Sequence, residues 1–412
     1  MLSAPGPCLA TSNKGDILDV TAPIRRLDHP NGEIWTFDPE RIADPNRKSA
    51  PWVWDLIASV QSIADAKRIA DCWRYASGQP QTGGDDFFPG TAAQQLADYL
   101  FAAHLGGRSV SDVFRWCSNE RDTSPADILS EYPRYAGIAS RVSSVIALTP
   151  ETRSGVFGSL QTMVAFLADP EIIDWIDPHR DTNGNIDERR GLFDPYEFAT
   201  SEDTLYLLSA QGRPSTALTA SLTAVVAFTA FQRAQSEFAA NTRRLPVPLC
   251  CVLDEAANIC RWPELADVYS YFGSAGIPIM TIWQNPDQGK AAFGETNFGS
   301  LFNNANITVY LGGIKDAKFL GEISQLVGQR EIVRGSVNID GTGRRSVNNS
   351  IQKENILDVS DLTEWPVGRA LLLASQSRAQ IVKTLPWTGN RQWADALAQA
   401  KAKARDEQRK AA

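Results

Sequence analysis

Two adjacent carboxylates follow a short apolar run in the second half of the sequence. Residues 249–253 read Leu-Cys-Cys-Val-Leu, and Asp254 and Glu255 come directly after them. Open α/β sheets bind their ligands at the carboxyl ends of the strands, so a strand here would present two acidic groups to a ligand. Such a pair can hold a hydrated Mg²⁺ and accept a proton from water, as the Walker B residues of P-loop ATPases do.

A second apolar run ends in an amide side chain. Residues 279–283 read Ile-Met-Thr-Ile-Trp, and Gln284 and Asn285 follow. A glutamine at the tip of the strand next to Walker B can orient the attacking water or sense the γ-phosphate. Together the two runs favour a P-loop-type ATPase core over the alternative, a strand end with solvated carboxylates.

The sequence lacks the other half of such a site. P-loop ATPases surround the phosphates with the backbone N–H groups and lysine of a G-x-x-x-x-G-K-[ST] loop, and no stretch from Met1 to Ala412 matches it. Residues 341–346, Gly-Thr-Gly-Arg-Arg-Ser, lack the lysine and the spacing. Because Met1 lies only a few residues before a predicted strand, we expect that the segment with this loop was lost or lies outside the given sequence.

Composition narrows the class of protein. A chain of 412 residues with 43% hydrophobic and 21% charged residues has room for two or three globular domains. Its net charge of −8 argues against coating DNA through a general positive field, so any contact with nucleic acid must be local. Six cysteines without a C-x-x-C pair and three scattered histidines favour neither a zinc site nor a disulfide framework. Residues 215–234 contain threonines, serines and Arg233, which suits a buried helix better than a membrane span.

Apolar runs separated by helix-length segments predict a parallel sheet. Residues 87–195 instead show helical spacing, which predicts an all-α insertion. The predicted fold class is therefore α/β, a RecA-like, P-loop-type, twisted and mostly parallel sheet with an inserted all-α domain. The predicted strands are 7–11, 33–38, 204–208, 249–253, 277–284 and 307–311, with terminal hairpins or edge strands at 331–339 and 370–383. The predicted domains are 1–86 and 196–390 as two parts of one nucleotide-binding domain, 87–195 as the insertion, and 391–412 as a helical or disordered tail.

An ordered series of motifs resembles the TraG/TraD-type conjugative coupling proteins, the coupling ATPases of type IV secretion. The resemblance covers nearly the whole chain, and the series is far more specific than any single motif. It includes 252–259 (Val-Leu-Asp-Glu-Ala-Ala-Asn-Ile), 276–284, 304–306, 326–328, 357–362, 366–371 (Pro-Val-Gly-Arg-Ala-Leu) and 386–387, together with 6–7, 11–18, 35–39 and 204–207 in the first half.

The resemblance implies a function. Family members are membrane-anchored hexameric ATPases that recruit a DNA-bound relaxase and drive single-stranded DNA into a type IV secretion channel. It implies ATP and Mg²⁺ as ligands, with Asp254 holding Mg²⁺ through water, Glu255 as general base and Gln284 as the coupling glutamine. The expected partners are the relaxase, the relaxosome accessory protein, single-stranded DNA, channel components and further copies in a homo-hexamer. The region recognised by the accessory protein would lie around 236–368. The location implied is the cytoplasm for this chain, at the cytoplasmic face of a bacterial membrane in the family.

Two further groups of residues are candidates. We expect Lys14 and Asp16 at the mouth of the nucleotide cleft, the alternative being a polar loop after a strand. Basic residues near the predicted hairpin could line a DNA pore, the alternative being solvated surface arginines. These are Arg330, Arg334, Arg344 and Arg345.

The sequence departs from the family pattern in three respects. The membrane-spanning N-terminus and Walker A are absent, and residues 271–276, Tyr-Phe-Gly-Ser-Ala-Gly, lack the arginine that the family often places before this strand. Three interpretations therefore stay open. The chain is the part of a coupling ATPase that follows Walker A, a non-catalytic relaxosome-recognition module, or an unrelated nucleotide-binding domain with a non-standard phosphate loop.

Overall fold

A five-stranded parallel sheet forms the centre of the protein. The computed structural model describes residues 1–79, 86–180, 185–186, 189–213, 215–238, 240, 242–339 and 345–411. The strand order is β2-β5-β1-β6-β7. Every pairing in this sheet is parallel, so all five strands end at the same edge. Numbered in chain order, the strands are β1 (Cys8–Ser12), β2 (Ile34–Phe37), β5 (Thr204–Leu208), β6 (Cys250–Leu253) and β7 (Ile279–Thr281).

Helices cover this sheet and bury its apolar strands. The strands β1 and β5 are buried along their whole length, as is expected for a sheet with helices on both faces. The helices nearest the sheet in sequence are α1 (Asp16–Asp28), α2 (Ile63–Ala76), α10 (Ser215–Ser236), α11 (Ala256–Ile259) and α12 (Leu265–Val268). Among the described residues, α10 is the one unbroken helix long and apolar enough to cross a bilayer, and 78% of its apolar window is buried inside the protein.

The region between β2 and β5 is mostly helical and shares one core with the sheet. It differs from the prediction of a strand-free insertion, because a short parallel pair joins β3 (Trp52–Trp54) to β4 (Gly191–Phe193). Aromatic edge-to-face contacts of Trp52 with Trp35 and Trp175 stabilise this pair. The helices are α3 (Phe87–Leu105), α4 (Val110–Ser118), α5 (Ser124–Ser130), α6 (Ala136–Ile146), α7 (Pro150–Val164), α8 (Pro170–Ile176) and α9 (Pro195–Phe198).

After β7 the chain builds a second, smaller sheet. Its order is β12-β11-β8, and both pairings are antiparallel, so β8 does not extend the parallel sheet. A separate small core of Tyr310, Leu320, Ile323, Leu362 and Leu371 supports it. The elements are α13 (Pro286–Phe293), α14 (Glu295–Asn304), β8 (Ile307–Tyr310), α15 (Ala317–Val327), β9 (Gln329–Ile339), β10 (Arg345–Asn355), α16 (Val359–Thr363), β11 (Arg369–Ala374), β12 (Gln380–Lys383) and α17 (Arg391–Ala411).

Three of these elements lie outside the second sheet. The strands β9 and β10 form a long antiparallel hairpin of their own. Helix α17 contacts α1, and its Leu397 is only 7% exposed. The terminal segment is therefore helical through residue 411.

Candidate functional site

The carboxyl ends of β6 and β7 bring the side chains of Glu255 and Gln284 together. Leu253 of β6 lies opposite Thr281 of β7, so the residues that follow each strand emerge side by side. There the side-chain amide of Gln284, through Nε2, donates a hydrogen bond to Oε1 of Glu255. The expectation that Gln284 follows the strand next to the carboxylate strand is confirmed.

Glu255 is held by a second amide in a tight turn. The backbone φ of Glu255 is 52°, in the left-handed region, and residues other than glycine adopt this conformation at a cost of about 1–2 kcal/mol. This turn starts α11, and Nδ2 of Asn258 donates a hydrogen bond of 2.6 Å to Oε2 of Glu255. Each carboxylate oxygen of Glu255 therefore has its own amide donor.

Asn258 is a site residue that the sequence analysis did not single out. It lies three residues after Glu255, the spacing at which side chains on one helical turn meet. That spacing was a usable signal within the 252–259 motif. The left-handed conformation of Glu255, which lets the contact form, could not be predicted from the sequence, because glutamate is not typical of such turns.

Asp254 is half-buried beside this pair. Its backbone oxygen accepts a 2.7 Å hydrogen bond from the Thr11 hydroxyl, which ties the ends of β6 and β1 together. Burial, and then the neighbouring charge of Glu255, raises the pKa of the Asp254 carboxyl above its usual value. Asp16 adds to this rise in pKa and Lys14 opposes it.

Lys14 and Asp16 thus lie close enough for their charges to act on Asp254. Both are exposed, Lys14 in the turn after β1 and Asp16 as the first residue of α1. The backbone N–H of Lys14 donates a 3.1 Å hydrogen bond to the Ser12 hydroxyl, which closes that turn. Their position at the carboxyl edge is compatible with a cleft mouth, and their role in binding stays a prediction.

A buried cation fixes the helix that carries Asp16. Arg25 of α1 is fully buried, and its guanidinium donates hydrogen bonds to the backbone oxygens of Ala4 and Gly6 and to the Thr204 hydroxyl. The distances are 2.7, 2.7 and 2.9 Å. These three contacts join α1, β5 and the first residues of the chain. They also stabilise the buried guanidinium, because a buried charge is tolerated only when it is hydrogen-bonded.

The end of β7 is fixed by a small polar and aromatic cluster. The Thr281 hydroxyl accepts a 2.9 Å hydrogen bond from Nε1 of Trp283 and lies 2.9 Å from the Tyr269 hydroxyl. The Trp283 ring packs edge-on against Phe293 of α13 and Phe298 of α14. The segment that leads to Gln284 is thereby bound to the helices that follow it.

One acidic residue, Glu354, lies beside two of the hairpin arginines. Arg334 forms an ion pair with Glu354, and Arg330 lies opposite Glu354 in the strand register. Arg344 lies outside the described residues, and Arg345 is the first residue of β10. A contact of these arginines with DNA stays a prediction, and the local charge available for it is reduced by Glu354.

The carboxylates at this edge of the sheet, Asp254 and Glu255, are of the type that activates water beside a hydrated cation. Within the described ranges no group of three or more His, Cys, Asp or Glu side chains converges on one point. A Mg²⁺ ion there would take most of its ligands from water and phosphate, which is its usual preference. The roles of Asp254 in holding such an ion and of Glu255 in accepting a proton stay predictions.

Comparison with known proteins adds a family segment and a fold. A family model described as the TraM recognition site of TraD and TraG matches residues 248–367, inside the region 236–368 expected to hold that segment. The unbound form of the bacterial conjugative coupling protein TrwBΔN70 matches with a TM-score of 0.58 and 15% identity, over 92% of this chain and 84% of that chain. A comparison with curated protein sequences finds no significant match.

Two ligand-bound structures show the same fold. The plasmid coupling protein TrwB in complex with ADP and Mg²⁺ matches with a TM-score of 0.55 and 14% identity, over 92% of this chain and 84% of that chain. The complex with a non-hydrolysable ATP analogue matches with a TM-score of 0.56 and 14% identity, with the same two coverages. The predicted fold class is confirmed for its mostly parallel, RecA-like sheet with many helices, and the resemblance to TraG/TraD-type coupling proteins is confirmed as well.

Proposed function

We propose that this chain, which resembles the TraG/TraD-type coupling proteins in its fold and in residues 248–367, forms the magnesium-binding and water-activating part of a DNA-translocating ATPase. One observation carries the proposal: Gln284 reaches Glu255 from the neighbouring parallel strand, beside Asp254. In this proposal Asp254 holds Mg²⁺ through water, Glu255 takes the proton of the attacking water, and Gln284 couples the γ-phosphate to strand movement.

The contacts of Glu255 suggest how coupling would work. Both of its oxygens are engaged by amides, so a water molecule must displace one donor before Glu255 can act as a base. Asn258 lies in α11, which begins directly after Glu255, whereas Gln284 lies in the segment that follows β7. Gln284 would therefore be the donor that leaves Glu255, and a bound γ-phosphate would supply another acceptor for its amide.

The partners proposed follow from the family. They are single-stranded DNA, the relaxase, the relaxosome accessory protein, the secretion channel and further copies in a hexamer at the cytoplasmic face of the membrane. The match of residues 248–367 to the TraM recognition site supports contact with the accessory protein. The TrwB complexes with nucleotide support ATP and Mg²⁺ as ligands.

An assay of conjugative transfer tests the proposal, with each substitution made in the natural gene. Glu255→Gln keeps the side-chain shape but removes the base, so we expect transfer to fall by about a hundredfold or more. Glu151→Gln, an exposed change on α7, is the matched control and should leave transfer unchanged. Normal transfer with Glu255→Gln would reject the ATPase proposal.

A second candidate function is relaxosome recognition without catalysis. It is favoured by the match of residues 248–367 and by the absence of a G-x-x-x-x-G-K-[ST] loop from residues 1–412. In that case the chain should bind the relaxosome accessory protein equally well with and without the Glu255→Gln substitution, and transfer should not depend on Glu255. Calorimetric titration of the wild-type chain and Glu255→Gln with that protein measures the first quantity.

A further inference from the structure

An open cleft of about 460 Å³ lies beside the second, smaller sheet. Its lining comes from the residues that follow β10, from α16 and the turn after it, and from β12. Most of the lining is apolar and consists of Ile356, Leu357, Trp365, Pro366 and Ile381. The cleft shares no lining residue with the candidate site at the ends of β6 and β7, so it is a separate surface.

The apolar lining continues the small core to the surface. Ile381 of β12 lies opposite Leu371 of β11 in the strand register, so the two side chains share one face of the sheet. Leu371 is buried, whereas Ile381 is 54% exposed and Ile356 is 46% exposed. A partner that covers these side chains gains free energy from the burial of apolar surface.

Trp365 is held in place within the cleft. Its indole Nε1 donates a 3.0 Å hydrogen bond to the backbone oxygen of Arg369, and its ring centre lies 6.0 Å from that of Tyr310. The Tyr310 hydroxyl in turn donates a 2.9 Å hydrogen bond to the backbone oxygen of Leu362 in α16. The cleft is therefore preformed, and a preformed surface loses less conformational entropy when a partner binds.

Two carboxylates complete the lining. Asp361 in α16 and Glu364 directly after it are both exposed. One oxygen of Asp361 accepts a 2.8 Å hydrogen bond from the backbone N–H of Asp358. In the part of the chain that the structure describes, neither Asp361 nor Glu364 forms an ion pair. Two unpaired negative charges beside an apolar surface favour an occupant with a basic side chain.

We propose that this cleft docks a segment of the relaxosome accessory protein that presents a basic side chain next to an apolar one. The apolar side chain would lie against Trp365 and Ile381, and the basic one beside Asp361 or Glu364. All of the lining except Ile381 lies within residues 248–367, which match the TraM recognition site, and this favours the accessory protein as the occupant. The proposal rests on the partner named under the proposed function and adds the surface that would bind it.

Basic segments of this chain fit the cleft less well. Helix α17, which carries Lys401, contacts α1 instead. In the hairpin, Arg334 is already paired with Glu354. A second copy of the chain has a net charge of −8, which opposes its approach to an acidic cleft. An occupant from another protein is therefore favoured.

Calorimetric titration of the full chain with the accessory protein tests the proposal. Glu364→Lys and Ile381→Lys each place a positive charge beside the basic occupant, so we expect either to weaken binding by about tenfold or more. Glu364→Gln removes the charge without reversing it and should weaken binding less. Binding of the wild-type chain should also weaken as the salt concentration rises.

Two exposed positions outside residues 248–367 supply matched controls. Glu151→Lys on α7 changes the net charge as Glu364→Lys does, and Leu192→Lys changes a strand residue that is 45% exposed. Both should leave the affinity unchanged. An unchanged melting temperature in each variant shows that it is folded.

The outcomes separate this proposal from the proposed function. Binding of the wild-type chain with unchanged affinity in Glu364→Lys and Ile381→Lys would overturn the cleft and keep the partner. Absence of binding by the wild-type chain would reject the partner and the cleft together. Dimers of the chain alone in light scattering that Glu364→Lys disperses would also overturn the proposal, because a second copy would then be the occupant. None of these results depends on Glu255, so transfer with Glu255→Gln judges the ATPase proposal separately.

Discussion

Gln284 and Glu255 meet across two neighbouring parallel strands, although they lie far apart in the sequence. The contact depends on the register of β6 and β7, so a shift of either strand alters it. In a chain able to bind ATP, Gln284→Ala should leave basal hydrolysis within a few-fold and remove its stimulation by single-stranded DNA. Phosphate release with and without DNA measures this. Gln325→Ala, an exposed change on α15, is the control, and retained stimulation in Gln284→Ala would contradict the coupling role.

The isolated 412-residue chain should hydrolyse ATP negligibly. The sequence of residues 1–412 has no G-x-x-x-x-G-K-[ST] motif, whose backbone amides and lysine bind the β and γ phosphates and are main sources of affinity and transition-state stabilisation. A coupled assay of phosphate release with purified chain measures the rate. Clear turnover that disappears with Glu255→Gln would refute this prediction.

Asp254→Asn should stabilise the chain when no ligand is bound. Because the pKa of Asp254 is raised in the folded state, the folded protein holds this proton more tightly than the unfolded chain does. The ionised carboxylate therefore destabilises the fold above its folded pKa, and this penalty vanishes as the pH falls below the unfolded value of about 3.9. We expect a higher melting temperature for Asp254→Asn at pH 7 and equal values near pH 3. Asp267→Asn, an exposed change on α12, is the control variant.

Asn258→Ala should destabilise the chain through Glu255. Removing the 2.6 Å hydrogen bond leaves one oxygen of a half-buried carboxylate without its amide donor, at a cost of about 1 kcal/mol. Urea unfolding at pH 7 measures the change. In a Glu255→Ala background the same substitution should cost much less, and equal costs in both backgrounds would show that the contact contributes nothing.

Substitutions of Arg334 and Glu354 in the hairpin should change the affinity for single-stranded DNA in opposite directions. If Arg334 contacts phosphate, Arg334→Ala should weaken single-stranded DNA binding and lower its salt dependence. Glu354→Gln should strengthen binding, because it removes the acidic partner of Arg334. Fluorescence anisotropy at several salt concentrations measures both. Unchanged affinity in both variants would leave these arginines as solvated surface residues.

The sequence predicted those parts of the fold that have long or strongly patterned segments. The strand β5 lies where it was expected, and β6 and β7 lie within a few residues of their predicted limits. The pair β3 and β4 was missed because each strand has only three residues, whereas β7, of the same length, lies within a longer and mostly apolar run at 277–283. The antiparallel pairing of β8 was also missed, because partner and direction depend on distant β11 rather than on local pattern.

Some residues of the candidate site could be predicted from the sequence, and others could not. Asp254, Glu255 and Gln284 could be found because each follows an apolar run, and strand ends converge in a parallel sheet. The donor role of Asn258 depends on the left-handed conformation of Glu255, which is imposed by the surrounding structure. The ion pair of Arg334 with Glu354 required the register of the hairpin, which a sequence alone does not fix.

The burial of Arg25 makes the backbone of Ala4 and Gly6 part of the structure that supports the central sheet. Its guanidinium is satisfied by the carbonyls of Ala4 and Gly6, and loss of these residues would leave a cation in the core with only the Thr204 hydroxyl as acceptor. Breaking such buried charge contacts costs several kcal/mol. A change of backbone conformation at residues 4–6 would therefore disturb the central sheet itself and not only the segment that precedes it.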